Sequence, residues 1–482
     1  MPEQAKQPSY PPPSGPRPPT GPWDARVQFR ADEQRGVFSY RPNQLITVRA
    51  ALRLIDDRIG RDREGRLLVR PIGPERDRDG DDLVLVMGVA DPLAAIEVIR
   101  SAGFVAQPNH VLFGHAGGSP YPGGNPYPGG DPYTDFKPCH CCGSGCGNWT
   151  GQQVAAQFST ARPAHAPKND DVSHRRARGG SSCNVLVLDT GAFPSITAAG
   201  ASTFTAHSDQ AMAFALLDSG IADFDVDMWD GDGNMILDAF AGHGTFIAGL
   251  IANLAPGARI TVAAGLSTFG DTDDAAIAAA LLDRFPEGAG DDPPFDIVTM
   301  SFGGFCESDD PPIAMSKAIA SIQSRFRAVD PDDASIIRER VVFVSSAGNA
   351  ASCRPTWPAS FENVIAVGAL GPHGKAWFSN YGPWVDACAP GVDIVSCFFD
   401  LGEEAGDAED FNGWASWSGT SFAAPIVAAA IAWEWMCRGG RELVSDKPTA
   451  TTAGRPGHAA AWLLDRPGHF RYPWLGTVVN PY

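Results

Sequence analysis

Residues 184–438 predict an α/β fold, a mostly parallel sheet covered by helices on both faces. Three observations carry that reading. Val185-Leu186-Val187-Leu188 is a short continuous apolar run of the kind buried parallel strands show, and Ile260-Thr261-Val262-Ala263, Asp296-Ile297-Val298-Thr299-Met300, Val341-Val342-Phe343-Val344 and Val364-Ile365-Ala366-Val367 repeat it. Helical stretches at 273–283 and 312–327 alternate with these runs. The chain has 482 residues, 44% of them apolar and 19% charged, which is enough material for a sizeable core and sets a soft prior of about three units. In such sheets the chemistry sits at the carboxyl ends of the strands.

The preceding elements follow in order. The first 22 residues hold nine prolines, which remove donors and fix extended backbone, so 1–26 is expected to be a disordered tail. An α+β unit follows over 27–113. Leu45-Ile46-Thr47-Val48 reads as strand and Ala51 to Ile55 as helix, and the run from Leu83 to Val89 is β-rich. Asp91-Pro92 is an N-cap and first-turn pair for a helix carrying Leu93, Ile96, Val98 and Ile99, closed by Gly103. Phe104-Val105 and Val111-Leu112-Phe113 return as strand.

Residues 114–150 read as a linker. GGSPYP (117–122), GGNPYP (123–128) and GGDPYT (129–134) repeat with no apolar periodicity, giving a flexible spacer or, alternatively, a partner-binding tract. Its end carries Cys139, His140, Cys141, Cys142 and Cys146. Thiolates and imidazole suit zinc, but adjacent ligands cannot all face one ion, so the cluster reads as a reactive thiol patch or chance and no metal is assigned. The other six cysteines lie in apolar stretches and read as buried thiols, all reduced. The α/β domain takes 151–438, and 439–482, with Trp462 and Trp474, is a packed or draped C-terminal extension.

Charge and hydropathy bound the partners. Lys and Arg number 37 against 56 Asp and Glu, a net charge of −19, which argues against nucleic acid as a partner. No apolar run reaches 18 residues and no apolar signal segment opens the chain, so the expectation is a soluble, cytoplasmic protein without a membrane partner, non-classical export being the other route. Oligomeric state is open.

The chemistry concentrates at strand and loop ends. The first apolar run leads straight into Asp189-Thr190-Gly191. Gly242-His243-Gly244-Thr245 opens a helical stretch, and Gly419-Thr420-Ser421 opens another. An acid, a base and a hydroxyl in these places meet the needs of nucleophilic catalysis: serine is weak until His243 takes its proton, and a carboxylate fixes the imidazole's tautomer. Ser421 at a helix start also faces the positive end of the helix dipole. Val341 to Val344 runs into Ser345-Ser346-Ala347-Gly348-Asn349, whose terminal amide can donate to an oxyanion.

These segments, together with GHGTFIAGLIA (242–252), SFGG (301–304), WPASFENVIAVGAL (357–370), SNYGPWVDACAPG (379–391) and SGTSFAAPIVAAAIA (418–432), resemble the subtilisin-like serine proteases, or subtilases, in that family's own order of acid, histidine, asparagine and serine. The resemblance implies a subtilisin-like three-layer αβα sandwich and a serine endopeptidase working through an acyl-enzyme. It makes Ser421 the nucleophile, His243 the general acid/base, Asp189 the orienting carboxylate and Asn349 the oxyanion donor beside the Ser421 N–H. Ser301, Phe302 and Gly303, with Ser346, Ala347 and Gly348, match the strands that line the S1 pocket and pair with an extended peptide or protein substrate. The same acyl-enzyme supports an alternative, an intracellular peptide-maturation protease or a peptide ligase or macrocyclase. A catalytically dead scaffold would carry a triad substitution, and none is seen. Residues 27–113 match a propeptide, ending in Gln107-Pro108-Asn109-His110-Val111, with an unrelated accessory domain as the other reading; a cut in the following linker would be tolerated.

Several positions depart from the family pattern. Phe246 stands where many members carry a second histidine. Thr356, before Trp357-Pro358, replaces a common glycine and would shorten S1, while Arg354 would favour an acidic residue there. The acidic stretch Asp223, Asp225, Asp227, Asp230, Asp232, Asn234 and Asp238 lacks the glycine and terminal glutamate of a calcium loop and reads as solvated. No cofactor is required by the resemblance, and calcium is an optional stabiliser. His115, His165, His174, His207 and His373 have no place in the chemistry and read as surface or structural histidines.

Overall fold

The computed structural model describes residues 26–32, 35–58, 67–73, 82–115, 157–158, 183–193, 221–228, 231, 238–288, 290, 292–329, 337–398, 414–437, 460, 463–464 and 470–479. The proline-rich tail, the hexapeptide repeat and the cluster from Cys139 to Cys146 lie outside them.

The five apolar runs are five strands of one sheet. Its order is Arg471–Tyr472, Gly476–Val478, Ala387–Pro390, Val364–Gly371, Val342–Ser346, Ile297–Met300, Asn184–Asp189, Arg259–Ala264 and Ile221–Phe224, parallel throughout except at the first pair, with Gly374–Lys375 hairpinned onto Val364–Gly371. The runs are continuous because both faces are covered. In Asn184–Asp189, Val185 and Val187 join one core with the helices His243–Leu254 and Thr420–Cys437, whereas Leu186 and Leu188 join the other with Asp274–Arg284 and Ile313–Arg325. The period-2 alternation of side chains splits one apolar run between two layers.

The helix Thr420–Cys437 is apolar all round and runs through the core, its residues 420–429 all buried. Pro425 lies inside it and has no N–H for the carbonyl of Ser421. Ser301 supplies the missing donor, its hydroxyl lying 2.9 Å from that carbonyl. Among the described residues no helix is long and apolar enough to cross a membrane.

The N-terminal unit is an antiparallel sheet in the order Ala106–Gly114, Gly36–Val48, Leu83–Met87, Leu68–Pro71, with Gln28–Asp32 also on Gly36–Val48. The helices Leu52–Arg58 and Pro92–Ser101 cover it, and Leu45, Val84, Val86, Ile96 and Ile99 form its core. Asp91 caps the second helix by accepting from the Ala94 N–H at 3.0 Å, with Pro92 in the first turn, as the sequence predicts. Phe104 and Val105 fall before the last strand, which starts at Ala106.

That last strand belongs to two domains. Its first half pairs with Gly36–Val48, and its second half pairs antiparallel with Asp271–Asp273 and Phe302–Gly303 of the α/β domain. All nine of its residues are buried. Gln107 and Asn109 reach across to two helix starts, accepting from the N–H groups of Ile313 at 3.0 Å and Ala275 at 3.1 Å. Ala275, Ala278, Ala314 and Ala318 let the two helices lie close against Ile46 and Leu83. Arg35 and Arg100 both pair with buried Glu307, and Arg41 with Asp271 and Asp273.

Cys183, Cys306, Cys388 and Cys397 are free and buried, with their thiol pKa values pushed up by burial. Cys353 is disulfide-bonded, so the expectation that every thiol is reduced fails there.

Candidate active site

Asp189 is the last residue of its strand, where the main chain leaves the sheet. Its carbonyl is held by the N–H groups of Gly265 at 2.6 Å and Leu266 at 3.0 Å. Its buried carboxylate accepts from the Thr190 N–H at 2.9 Å and bonds His243 Nδ1 at 2.7 Å. His243 opens its helix after Gly242, whose φ of 79° is in the left-handed region that favours glycine. Gly244 is equally constrained: a Cβ there would collide with the Gly191 carbonyl.

A second carboxylate, Asp227, ties these two chain ends together. Its Oδ2 accepts from Thr190 Oγ1 at 2.8 Å and from the Gly242 N–H at 2.8 Å, and Thr190 Oγ1 in turn accepts from the Gly244 N–H at 3.0 Å. Both glycines flanking His243 are thereby fixed to the strand end that carries Asp189. Burial pushes the Asp227 carboxyl well above its ordinary range, against the pull of those two donors. Sequence reasoning grouped Asp227 with a solvated acidic stretch, and nothing local separates it from Asp225. Two more carboxylates of that stretch have protein partners, Asp225 taking Arg284 at 2.7 Å and Asp238 the Gly231 N–H and Thr268 Oγ1, whereas Asp223 is exposed, as the solvated reading expects. Among the described residues no group of three or more His, Cys, Asp and Glu side chains is placed to hold a metal ion.

The His243 ring is walled by Phe240, Trp417 and Phe422 at centroid distances of 5.3, 5.4 and 5.5 Å. Phe246 packs behind it on Trp417 and Phe422, so the position that departs from the family pattern is an apolar support. His243 Nε2 is buried with no hydrogen-bond partner among the described residues. Ser421 is the second residue of its helix, and its hydroxyl donates to the Ser301 carbonyl at 3.0 Å.

Asn349 follows the strand Val342–Ser346. Its Oδ1 accepts from Thr420 N at 3.0 Å and from Thr420 Oγ1 at 2.8 Å, which turns Nδ2 the other way. Nδ2 donates to the carbonyl oxygen of His115, and the Ser421 N–H approaches the same oxygen at 3.4 Å. His115, immediately after the strand shared by the two domains, donates its own N–H to the Ser301 carbonyl at 3.0 Å. Its ring is fully buried, with Nδ1 2.7 Å from Ser346 Oγ. The reading of His115 as a surface or structural histidine is therefore corrected: it lies in the cleft.

The cleft brings together Ser301, Phe302, Gly303, Ser346 and Gly348 around residues 113–115. The side chain of Ala347 packs elsewhere, with Val385, Cys388 and Leu475, and only its main chain joins this region. Thr356 is buried beside Gly303, with Oγ1 bonded by Asn380 Nδ2 at 3.0 Å. Arg354 is turned away. It bonds Asp309 and the Val37 carbonyl and lies over the Phe305 ring, so the idea that it selects an acidic residue is set aside.

An imidazole fixed at one nitrogen by a carboxylate, a hydroxyl at a helix start, and two N–H donors on one carbonyl oxygen are the groups that acyl transfer needs. Comparisons with known proteins agree with that chemistry. The family model for the subtilase family matches residues 180–436, more than half of the chain. A thermophilic serine proteinase from Bacillus sp. (strain AK1) is 34% identical over 201 residues, 39% of this chain and 41% of that protein. Subtilisin Savinase from Lederbergia lenta is 28% identical over 272 residues, 54% of this chain and 78% of that protein. A cuticle-degrading serine protease from Orbilia oligospora is 30% identical over 257 residues, 52% and 49% of the two chains. The matched stretches thus span from about two fifths to about four fifths of those relatives. Because the family model takes in the strand end with Asp189, the helix start with His243, Asn349 and the helix start with Ser421, the chain belongs to the subtilase family.

Proposed function

We propose that the protein is a serine endopeptidase and that its N-terminal unit, residues 27–115, is a propeptide that holds the cleft closed. The observation that carries the reading is the His115 carbonyl oxygen, approached by the Asn349 amide and the Ser421 N–H while the strand before it pairs with the cleft on both sides. That is how a substrate would present its scissile carbonyl, with main-chain pairing supplying affinity.

In this mechanism the Ser421 hydroxyl swings off the Ser301 carbonyl toward His243 Nε2, which takes its proton as the oxygen attacks the carbonyl carbon. Asp189 keeps Nδ1–H oriented and stabilises the imidazolium. Negative charge develops on the carbonyl oxygen, where the two N–H donors are already aimed. His243 then gives its proton to the leaving amine. Water repeats the sequence in reverse roles and frees the acid. Subtilases as a family need no cofactor for these steps, and none is invoked.

A fluorophosphonate probe tests the reading. Once the cleaved N-terminal unit has been separated from the enzyme, Ser421 is expected to be labelled in wild type, together with hydrolysis of a denatured protein substrate, and both signals should be absent from Ser421→Ala. Labelling without any hydrolysis, or hydrolysis surviving in Ser421→Ala, overturns it.

A further inference from the structure

Resting on the endopeptidase reading, we infer that the cleft selects glycine followed by histidine ahead of the bond it cuts: the chain cleaves itself between His115 and Ala116, and its substrates are peptides cut after a Gly-His pair.

Histidine fits the S1 pocket by shape and by polarity. The ring Cε1 lies 2.7 Å from where a Cβ on Gly303 would stand and 3.5 Å from one on Gly348, so bare backbone forms these walls. Ser346 Oγ shares a 2.7 Å hydrogen bond with Nδ1, and the backbone carbonyls of Ser346 and Gly303 also act on the ring. Nε2 has no full hydrogen bond, so the form that fits is the neutral imidazole with Nδ1–H donating to Ser346. Burial agrees, holding the His115 pKa to about 3, and His243 is the one titratable neighbour acting on it. A lysine would bring an unpaired charge into the pocket, and a phenylalanine would leave Ser346 Oγ without this partner.

Glycine is imposed one residue earlier. A Cβ on Gly114 would stand 2.7 Å from Phe240 Cδ1 and closer still to Cε1. The Phe240 ring is seated close over the bare backbone of Gly270, where a Cβ would stand 2.6 Å from its Cγ, and packs edge-on against His243 at 5.3 Å. The Gly114 N–H donates to the Gly270 carbonyl at 2.8 Å, which fixes the substrate backbone against this ring.

Ser421 Oγ bonds to the His115 carbonyl carbon and its proton passes to His243. The bond to the Ala116 nitrogen breaks as that nitrogen takes the proton from His243. Water then hydrolyses the ester, leaving a His115 carboxylate and restoring the Ser421 hydroxyl.

The test uses the full chain. Wild type is expected to yield a fragment beginning at Ala116, and Gly114→Ala to slow its formation at least tenfold. Adding Phe240→Ala to Gly114→Ala should recover most of that loss, a rescue that mere damage beside His243 would not produce. The self-processed enzyme, separated from its N-terminal fragment, is then given Leu-Phe-Gly-His-Ala-Gly-Gly in competition with peptides carrying Lys, Glu or Phe for His, or Ala for Gly. The parent peptide should disappear at least tenfold faster than any of them. A first cut elsewhere in the chain, or a competitor consumed as fast as the parent, overturns the inference. If Ser421 still takes the fluorophosphonate in that case, the endopeptidase reading stands alone. If Ser421 is unlabelled and no peptide is cut, both fall together.

Discussion

Asn349 has two tasks on opposite sides of one amide, and they can be separated. Oδ1 holds the start of the Ser421 helix through Thr420, while Nδ2 donates to the carbonyl in the cleft. Asn349→Asp keeps an acceptor for Thr420 and removes the donor. Loss of such a donor is worth about 2.7–4 kcal/mol of barrier, a magnitude measured in this family rather than derived from this chain. Turnover should therefore fall about a hundred- to a thousandfold, with Tm nearly unchanged; near-normal kcat would contradict the role. Asp227 makes the converse prediction. Asp227→Ala orphans buried Thr190 Oγ1 and the Gly242 N–H, about 1–3 kcal/mol for each group, so both Tm and kcat should drop. Asp227→Asn retains an oxygen acceptor and should keep most of each, read by thermal melts and peptide kinetics. Asp189 and Asn349 were legible in the sequence because they follow apolar strand runs, and His243 and Ser421 because they open apolar helical runs, each within two residues of a glycine. Asp227, Phe240 and His115 were not. Their importance arises from neighbours that folding brings to them from distant parts of the chain.

Elements were legible where periodicity sees both partners of a contact. The buried strands announced themselves by continuous apolar runs, and the helix from Thr420 by apolarity on every side. Of the strand Ala106–Gly114 only Val111-Leu112-Phe113 was legible, and its second set of partners was not, since Asp271–Asp273 and Phe302–Gly303 are too short and too ordinary in composition to read as strands. Its polar residues Gln107 and Asn109 show what the pairing does: they satisfy helix-start N–H groups of the other domain. Such caps are worth about 1 kcal/mol each. Gln107→Ala with Asn109→Ala should loosen the cleaved N-terminal fragment about thirtyfold, measured as its dissociation constant from the processed enzyme. Unchanged retention would assign the docking energy to the apolar contacts of Ile46 and Leu83 instead.

At the scale of the whole molecule, two buried histidines make the docking of the two units depend on pH. His110 accepts from the Glu307 N–H at 3.1 Å and has Arg100 as its charged neighbour, and His115 lies in the cleft near His243. Burial holds both at about 3, against an ordinary value of 6.5 in the released fragment. The docked form therefore excludes protons that the released form binds, so docking is strongest above pH 6.5 and weakens as pH falls from there toward 3. Between pH 7.5 and 5.5 the affinity should fall roughly a hundredfold with both histidines, and roughly tenfold in His110→Gln, which lacks one of the two groups. Size-exclusion of the cleaved chain at the two pH values reads this directly, and retention independent of pH would contradict it. The sequence indicated a small unit ahead of a protease-like domain. It did not indicate that the two share one sheet, because that pairing joins residues more than 150 positions apart.

An endopeptidase held by its own N-terminal unit, with the His115 carbonyl at Ser421, must process itself. The most direct measurement is the intact mass of purified wild type followed in time beside Ser421→Ala. Wild type alone should split after His115, and the two pieces should stay together at neutral pH. A wild type that remains whole, or an equal cut in Ser421→Ala, would contradict self-processing.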